Sequence, residues 1–211
     1  MPSAARLLAE YAESISALNR FGQVRQRASL TTFHLPTRGP TDRIWNQYFP
    51  ASPNQKPLFE ALRAERLALE THAKRQGCGL IIDPVKTIER VYERHGRASV
   101  RTRVSSLLSF LDDRSVSNVI VAINNDPERY SSVTLVGDWF YSEAVTSAIS
   151  GSKSKGLKES PFTRHYPKVR QEVDYFDQHL EDLLADRGWT RQNSRSKAMV
   201  YLETYLKRSS D

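Results

Sequence analysis

The most distinctive chemistry in the sequence lies in residues 137–143, which read GDWFYSE. Two carboxylates, Asp138 and Glu143, stand among three aromatic side chains, directly after an apolar stretch that is typical of a strand. Open α/β sheets commonly build their sites in the loops that follow strands. Asp138 is therefore a candidate base or cation contact, and Trp139 and Tyr141 are candidate stacking surfaces for a ligand. The alternative is structural, with the aromatic rings filling the core and Asp138 capping a turn.

A second candidate group is residues 162–166, which read FTRHY. Arg164 offers a fixed fork of donors suited to phosphate or carboxylate, and a protonated His165 would add positive charge. If this segment folds over the turn at Asp138, both side chains would face that turn. The alternative is that Thr163 caps the following helix while Arg164 is only solvated.

A third group is basic and lies at the start of a predicted helix, in residues 94–97 (RHGR) followed by Arg101 and Arg103. Arg97 and Arg101 are four positions apart and therefore share one helical face. Two arginines at a helix start could strengthen an anion site. A solvated helical face explains the same pattern.

The net charge of +7 is unevenly distributed along the chain. Residues 151–170 carry a net charge of +5, residues 171–185 carry −5, and residues 186–211 carry +3. Lys153 and Lys155 belong to the first of these segments, within a glycine- and serine-rich loop, and are further candidate anion contacts. The alternative is that these lysines only keep the loop soluble. An anionic partner should be sought beside this basic segment first.

Several classes of protein are disfavoured by composition. The sequence has no apolar run long enough to cross a membrane, and its N-terminus does not resemble a signal peptide, so we expect a cytoplasmic protein with no membrane partner. Its single cysteine, Cys78, cannot form an internal disulfide, and we expect it to be buried and inert unless Lys74 or Arg75 activates the thiol. The five histidines are scattered, and no nucleotide-binding or nucleophile motif is present, so neither a metal site nor a cofactor is predicted.

Periodicity predicts the elements that must position these residues. Helices are expected over residues 4–21, just after Thr41, and over 57–76 (ended by Gly77), 85–94, 97–111, 167–185 and, weakly, beyond Arg187. Strands are expected over 28–35, 79–83, 118–123 and 132–136, and the last two are expected to pair as an antiparallel hairpin. The buried face of the helix over 167–185 is predicted to comprise Val169, Val173, Phe176, Leu180 and Leu183. The final helix should bury Met199, Leu202 and Leu206.

Strands that alternate with helices predict an α/β domain with a mixed sheet and flanking helices, and an α+β arrangement is the alternative. We expect residues 1–50 to be a helical extension packed on the core. Residues 51–186 form the predicted α/β core, and 187–211 form a predicted C-terminal helical appendage.

Residues 79–184 resemble the single-repeat modules of the phospholipase D-like superfamily. The resemblance lies in a strand ending at Asp83, a helix running to Leu111, an edge hairpin whose second strand ends in the 137–140 segment (GDWF), and a closing helix over 173–184. It implies a phospholipase D-like single module preceded by a helical extension. The ligand-sensing domains of some bacterial transcription regulators resemble the same arrangement.

The catalytic motif of that superfamily, His-x-Lys followed by Asp, is absent from the sequence, and residues 130–132 (YSS) stand in its place. The resemblance therefore implies a degenerate module that senses or binds, since the nucleophilic histidine is missing.

Two classes of function remain open. The first is a non-catalytic regulatory or sensing module that binds an anionic, phosphate-bearing ligand or a nucleic acid near Asp138, Arg164 and His165. The second is an enzyme acting on a phosphate or carboxylate, with Asp138 or Glu143 as general base and Arg164 as charge clamp. A protein-partner adaptor is a third reading, and a homodimer is also left open.

Overall fold

A mixed β-sheet forms the centre of the molecule. The computed structural model describes residues 23–28, 67–125, 132–146, 158–159 and 162–208. Its strands are β1 (Val24–Ala28), β2 (Cys78–Ile82), β3 (Val119–Ile123), β4 (Ser132–Val136), β5 (Phe140–Thr146), β6 (Lys158–Glu159) and β7 (Phe162–Thr163). The spatial order is β3-β2-β1-β4-β5-β6, with β7 also pairing with β5. Strands β1, β2 and β3 run parallel, whereas β4 runs antiparallel to β1 and to β5, and β5 runs antiparallel to β6 and β7.

Four helices accompany the sheet in the described ranges. They are α1 (residues 67–76), α2 (Arg90–Asp112), α3 (Tyr166–Asp186) and α4 (Arg191–Arg208). A π-helical turn, Val85–Glu89, leads into α2. Gly96 interrupts α2 with φ +75°, so the predicted boundary between a helix over 85–94 and one over 97–111 corresponds to a kink.

The helices cover both faces of the sheet and produce two hydrophobic clusters. On one face, α1, α2 and α4 pack against apolar side chains of β2 and β3, with Leu69, Leu107, Leu111 and Leu202 fully buried. On the other face α3 is the helix, among those described, that packs against residues of β2 to β5, including Leu135. The predicted α/β class, with a mixed sheet and flanking helices, is confirmed.

The pattern of α3 follows the sequence prediction closely. Its buried residues are Val169, Val173, Phe176, Leu180 and Leu184. The predicted Leu183 is only partly buried, because Leu184 continues the stripe at the four-residue step from Leu180.

The predicted hairpin between residues 118–123 and 132–136 is wrong. Both strands exist, but among the described strands β3 pairs only with β2 and stands at one end of the strand order, while β4 pairs with β1 and β5. Strands β1 and β2 lie between them. The hairpin partner of β4 is β5, reached through the turn formed by residues 137–139, which the sequence predicted only as a loop leaving the strand.

The first described strand also departs from prediction. Residues 24–28 (VRQRA) form β1, whereas the predicted strand covered 28–35 and shares only Ala28 with it. The rest of that predicted strand, the helices over 4–21 and after Thr41, and residues 57–66 of the next helix lie outside the described residues. The described part of that helix ends as predicted, because Gly77 has φ +82° and its N–H donates to the carbonyl of Ala73 at 2.9 Å.

Helix α4 is held on the core by buried apolar side chains and by the hydrogen bonds of Arg195. Ala198 and Leu202 are fully buried within the α1–α2–α4 cluster, while Met199 and Leu206 are partly buried against it. Arg195 donates from Nε to the carbonyl of Leu111 at 2.5 Å, from Nη1 to that of Val116 at 2.8 Å, and from Nη2 to that of Asp113 at 2.9 Å. These bonds satisfy carbonyls at and beyond the end of α2, where no intrahelical donor is available.

Candidate functional site: an aromatic and cationic corner

The β4–β5 hairpin turn presents two of the predicted site residues. Because Val136 pairs with Phe140, the connection is the three residues Gly137, Asp138 and Trp139. Gly137 has φ +52°, and its N–H donates to the carbonyl of Gln23 at 3.0 Å, which anchors the turn beside the start of β1. Asp138 is half-buried, and Trp139 exposes 45% of its surface.

Strand β7 brings the second predicted group to this turn. Thr163 pairs with Tyr141 in antiparallel register, so Arg164 and His165 continue alongside the beginning of β5. The Thr163 hydroxyl accepts the N–H of His165 at 3.1 Å, while His165 is the residue that precedes α3. Thr163 therefore stabilises the turn before the helix and is not the N-cap that the alternative interpretation proposed.

Two direct contacts join the turn to the first turns of α3. The rings of Trp139 and Tyr166 lie 6.1 Å apart at an interplanar angle of 55°. The carboxylate of Asp138 accepts from Nη1 of Arg170 at 3.4 Å. The turn residues and the residues just before α3, which the sequence treated as separate groups, thus lie together.

A third exposed ring lies on the opposite face of the sheet. Phe162 pairs with Ser142 and stacks on the fully buried Phe140 of the α1–α2–α4 cluster, with ring centroids 6.0 Å apart, and it exposes 46% of its surface. We call Trp139, Arg164, His165 and Tyr166 the aromatic–cationic corner. Tyr166 was not predicted to take part, although it directly follows His165 in the sequence.

Arg164 and His165, the two basic residues of the corner, are solvent-exposed. Within the described part of the chain, neither Arg164 nor His165 has an ion-pair partner. The neighbouring cations differ, because Lys168 pairs with Glu172 and Arg170 pairs with both Asp138 and Asp174. Arg164 is therefore the cation of this region that remains available to an anion, and the His165 imidazole lies next to it in the sequence.

Tyr141 and Glu143 lie beneath α3, away from the exposed rings. Tyr141 is buried, and its hydroxyl donates to the Glu143 carboxylate at 2.6 Å. Burial raises the pKa of the Tyr141 phenol far above its ordinary value, and the hydrogen bond to Glu143 raises it further. The ammonium of Lys168 lies 5.8 Å from the Tyr141 ring centroid on the α3 side. These residues fasten α3 to β5, and the Tyr141 ring offers no open face for a ligand.

The same face of the sheet carries a second ion pair to α3. Arg25 of β1 donates from Nε and Nη2 to the two carboxylate oxygens of Asp177, at 2.6 and 2.8 Å. This bidentate geometry fixes both the position and the orientation of the helix. The start of α3, and with it the corner, is therefore held on a rigid support.

The remaining predicted anion contacts are not brought to the corner. Arg97 and Arg101 are exposed on α2, which packs on the opposite face of the sheet from α3. Arg97 follows the kink at Gly96, as expected for a residue at a helix start. Lys153 and Lys155 lie outside the described residues.

Cys78 is buried, as predicted, and burial raises the pKa of its thiol to about 12. Arg195 opposes this effect only in part. The suggested activators do not act: Lys74 forms an ion pair with Asp113 at 3.3 Å instead. Cys78 is therefore a core residue of β2.

No group of three His, Cys, Asp or Glu side chains among the residues that the structure describes could hold a metal ion. No helix in the described ranges has the length and apolar character needed to span a membrane.

No protein-family model, curated protein or solved structure matches the chain. The resemblance to phospholipase D-like modules stays a prediction. The corner combines the exposed rings of Trp139 and Tyr166 with the exposed Arg164 and His165 side chains.

Proposed function

We propose that the chain is a non-catalytic regulatory or sensing module that binds an anionic, phosphate-bearing ligand or a nucleic acid at the aromatic–cationic corner. The observation that carries this proposal is the placement of exposed Arg164 and His165 alongside the start of β5, next to the turn that holds Trp139 against the exposed ring of Tyr166. Guanidinium groups bind phosphate with directed hydrogen bonds, and aromatic faces accept flat heterocycles. A ligand with both a phosphate and a ring would satisfy both features.

The charge of the surroundings supports the same choice of ligand. Asp138 and Asp174 share Arg170 as their cation, and Glu172 pairs with Lys168. Among the described residues 162–174, Arg164 is the cation that lies outside these pairs. Residues 151–161, which precede the corner in the sequence, carry a further net charge of +2.

An enzymatic role for Asp138 finds less support. Its carboxylate lies against Arg170, and the nearby Tyr141 and Glu143 are engaged with each other under α3. A general base must reach a substrate proton. The enzyme therefore remains the weaker alternative, as does a pure protein adaptor. The resemblance to phospholipase D-like modules, without their catalytic motif, agrees with the sensing role.

The experiment titrates the protein with ATP and, separately, with inorganic triphosphate, at low and at high salt. Binding is measured by isothermal titration calorimetry and by thermal shift. We expect ATP to bind the natural protein and the affinity to fall as salt rises. Arg164→Ala should weaken binding about 10-fold or more, in line with the loss of a charged hydrogen bond.

Arg114→Ala is the matched control, since Arg114 is an equally exposed arginine in the turn after α2. It should leave the affinity unchanged. Equal losses in both variants would mean that ATP responds only to net charge, and absence of binding even at low salt would reject the proposal.

A further inference from the structure

The guanidinium of Arg187 is held at the carboxyl end of β3, and we propose that it binds an oxyanion, a carboxylate or a phosphate, at a site separate from the aromatic–cationic corner. Arg187 is the C-cap residue of α3, whereas His165 of the corner precedes the same helix. The 21 residues of α3 separate the two by about 30 Å. This site goes beyond the proposed function and does not depend on it.

Three contacts fix the orientation of the Arg187 guanidinium. Its Nε donates to the carbonyl of Ile123, the last residue of β3, at 3.2 Å. Its Cζ lies 5.4 Å from the ring centroid of Trp189 and 5.1 Å from that of Tyr201. Aromatic rings attract the flat guanidinium group and restrict its rotation. The side chain is therefore oriented before any ligand binds.

The end of α3 is closed by backbone hydrogen bonds, without this guanidinium. The N–H of Gly188 donates to the carbonyl of Ala185 at 2.9 Å, and the N–H of Trp189 donates to that of Leu184 at 2.9 Å. Gly188 has φ +61°, the left-handed conformation that permits this closure. The Arg187 side chain is thus not used to cap its own helix and reaches β3 instead.

The Nη1 and Nη2 groups of Arg187 are the donors left for a ligand. Among the described residues they donate no hydrogen bond, and no carboxylate lies within ion-pair distance of them. Glu181 of the same helix pairs with Arg191 instead. A half-buried guanidinium normally satisfies its donors with oxygen atoms. Because Nε is engaged by Ile123, the adjacent Nη1 and Nη2 donors match the two oxygens of a carboxylate or of a phosphate.

Tyr201 links Arg187 to a second donor. The Tyr201 hydroxyl donates to Oδ1 of Asn125 at 3.2 Å, so the Nδ2 group is the donor end of this exposed side chain. Arg187 contacts the ring of Tyr201, and Asn125 contacts its hydroxyl. The two side chains therefore lie close enough to share one ligand. The net charge of +3 over residues 186–211 favours an anion at this place.

The place in the fold is one where α/β sheets commonly bind ligands. Strands β2 and β3 are parallel neighbours, and Ile82 pairs with Ile123 at their carboxyl ends. The N–H of Asn124 donates to the carbonyl of Ile82 at 2.7 Å, so it faces β2, whereas the carbonyl of Ile123 faces Arg187. The oxyanion would lie on this outer side of β3, away from the buried Asp83 that follows β2.

The test follows the side-chain Nε–H signal of Arg187 in proton–nitrogen correlation NMR spectra. The protein is titrated separately with sodium succinate, sodium phosphate and sodium chloride at matched ionic strength. We expect succinate or phosphate to shift this signal and the indole N–H signal of Trp189 saturably, whereas chloride should not. The first two titrations show which oxyanion is preferred.

Three variants locate the binding. Arg187→Gln, followed at Trp189, should weaken binding about 10-fold or more, because it removes a charged hydrogen-bond donor. Arg187→Lys keeps the charge but not the fork of donors, so it should weaken binding about threefold or more. Arg191→Gln is the matched control, since Arg191 is exposed and already pairs with Glu181, and it should leave the affinity unchanged. The dispersion of amide signals in each spectrum checks that the variant is folded.

The outcomes separate this site from the corner. The inference is overturned if neither oxyanion gives a saturable shift in the natural protein, if chloride gives the same shift, or if Arg187→Gln and Arg191→Gln weaken binding equally. Arg164→Ala should leave the titrations at Arg187 unchanged. ATP binding that depends on Arg164 is measured independently, so failure at Arg187 leaves the proposed function standing, and failure at the corner leaves this site standing.

Discussion

Arg195→Ala should destabilise the protein more than alanine substitution of any other exposed or half-buried arginine named above. Arg195 belongs to α4 but donates three hydrogen bonds to the carbonyls of Leu111, Asp113 and Val116, at 2.5 to 2.9 Å. One guanidinium thus closes the end of α2 and fixes the connection to β3. It also holds α4 against the sheet at the same point.

The size of the effect follows from the number and kind of bonds. A hydrogen bond from a charged donor contributes about 1.5–3 kcal/mol, and water partly replaces it when the carbonyls become accessible. Allowing about 1 kcal/mol of net loss for each bond gives about 2–4 kcal/mol for Arg195→Ala. For a domain of this size, each kcal/mol lowers Tm by about 2–4 °C, so the melting temperature should fall by roughly 5–15 °C.

The assay is urea unfolding followed by far-ultraviolet circular dichroism, with thermal melting in parallel. Arg191→Ala is the control on the same helix, because Arg191 is exposed and pairs only with Glu181, at 2.6 Å. It should cost less than about 1 kcal/mol. Arg195→Lys keeps the charge but not the three-way geometry, so it should be intermediate. Equal stabilities for Arg195→Ala and Arg191→Ala would refute the reasoning.

Three further outcomes follow from the described core. The Cys78 thiol, whose pKa is raised to about 12 by burial, should not react with a thiol reagent in native buffer and should react fully in guanidinium; reaction before unfolding would contradict its placement. Gly77→Ala should lower the free energy of unfolding by about 2–4 kcal/mol, because φ is +82° and a Cβ would approach its neighbours to 2.8 Å. Gly188→Ala, with φ +61° and open space around the site, should lower it by only about 1–2 kcal/mol, and denaturant unfolding measures both. Tyr141→Phe should cost about 1–3 kcal/mol at neutral pH by removing the bond to Glu143. Since the folded-state pKa of Tyr141 is raised, its stabilisation is complete below the unfolded pKa near 10 and is lost at higher pH, so pH-dependent unfolding should show the two proteins converging there.

Local signals in the sequence were sufficient to predict many of the elements. The apolar stripe from Val169 to Leu180 predicted α3 and its buried face, since a period near 3.6 residues identifies the side of a helix that packs. Gly77 predicted the end of α1 because few other residues adopt a positive φ. Both predictions depend on neighbouring residues alone.

Strand pairing could not be predicted in the same way. Strand β1 contains Arg25, Gln26 and Arg27, which carry no apolar alternation and gave no strand signal. Arg25 is accommodated within the sheet because Asp177 of α3 neutralises it. Asp177 is distant from Arg25 in the sequence, so no local pattern predicts β1. Because β1 was not recognised, the short apolar strands β3 and β4 were predicted to pair with each other.

The candidate site shows the same difference between what residue types predict and what strand pairing decides. Asp138, Trp139, Arg164 and His165 were chosen by residue type, and the β5–β7 pairing brings them to one corner. Tyr141 was chosen on the same basis but points under α3, because side chains alternate between the two faces of a strand. The strand register that decides this alternation was not visible in the sequence.

The central position of β1 also constrains the order in which the chain can fold. It pairs with β2 on one side and with β4 on the other, through register partners as distant as Val24 and Val136. During synthesis this strand leaves the ribosome long before either partner exists, so the sheet cannot close until β4 has been made. Such pairings slow folding because a long loop must be ordered before any contact forms. Until β4 docks, β1 keeps one unpaired edge, so the interval before β4 docks is the period of greatest exposure to aggregation.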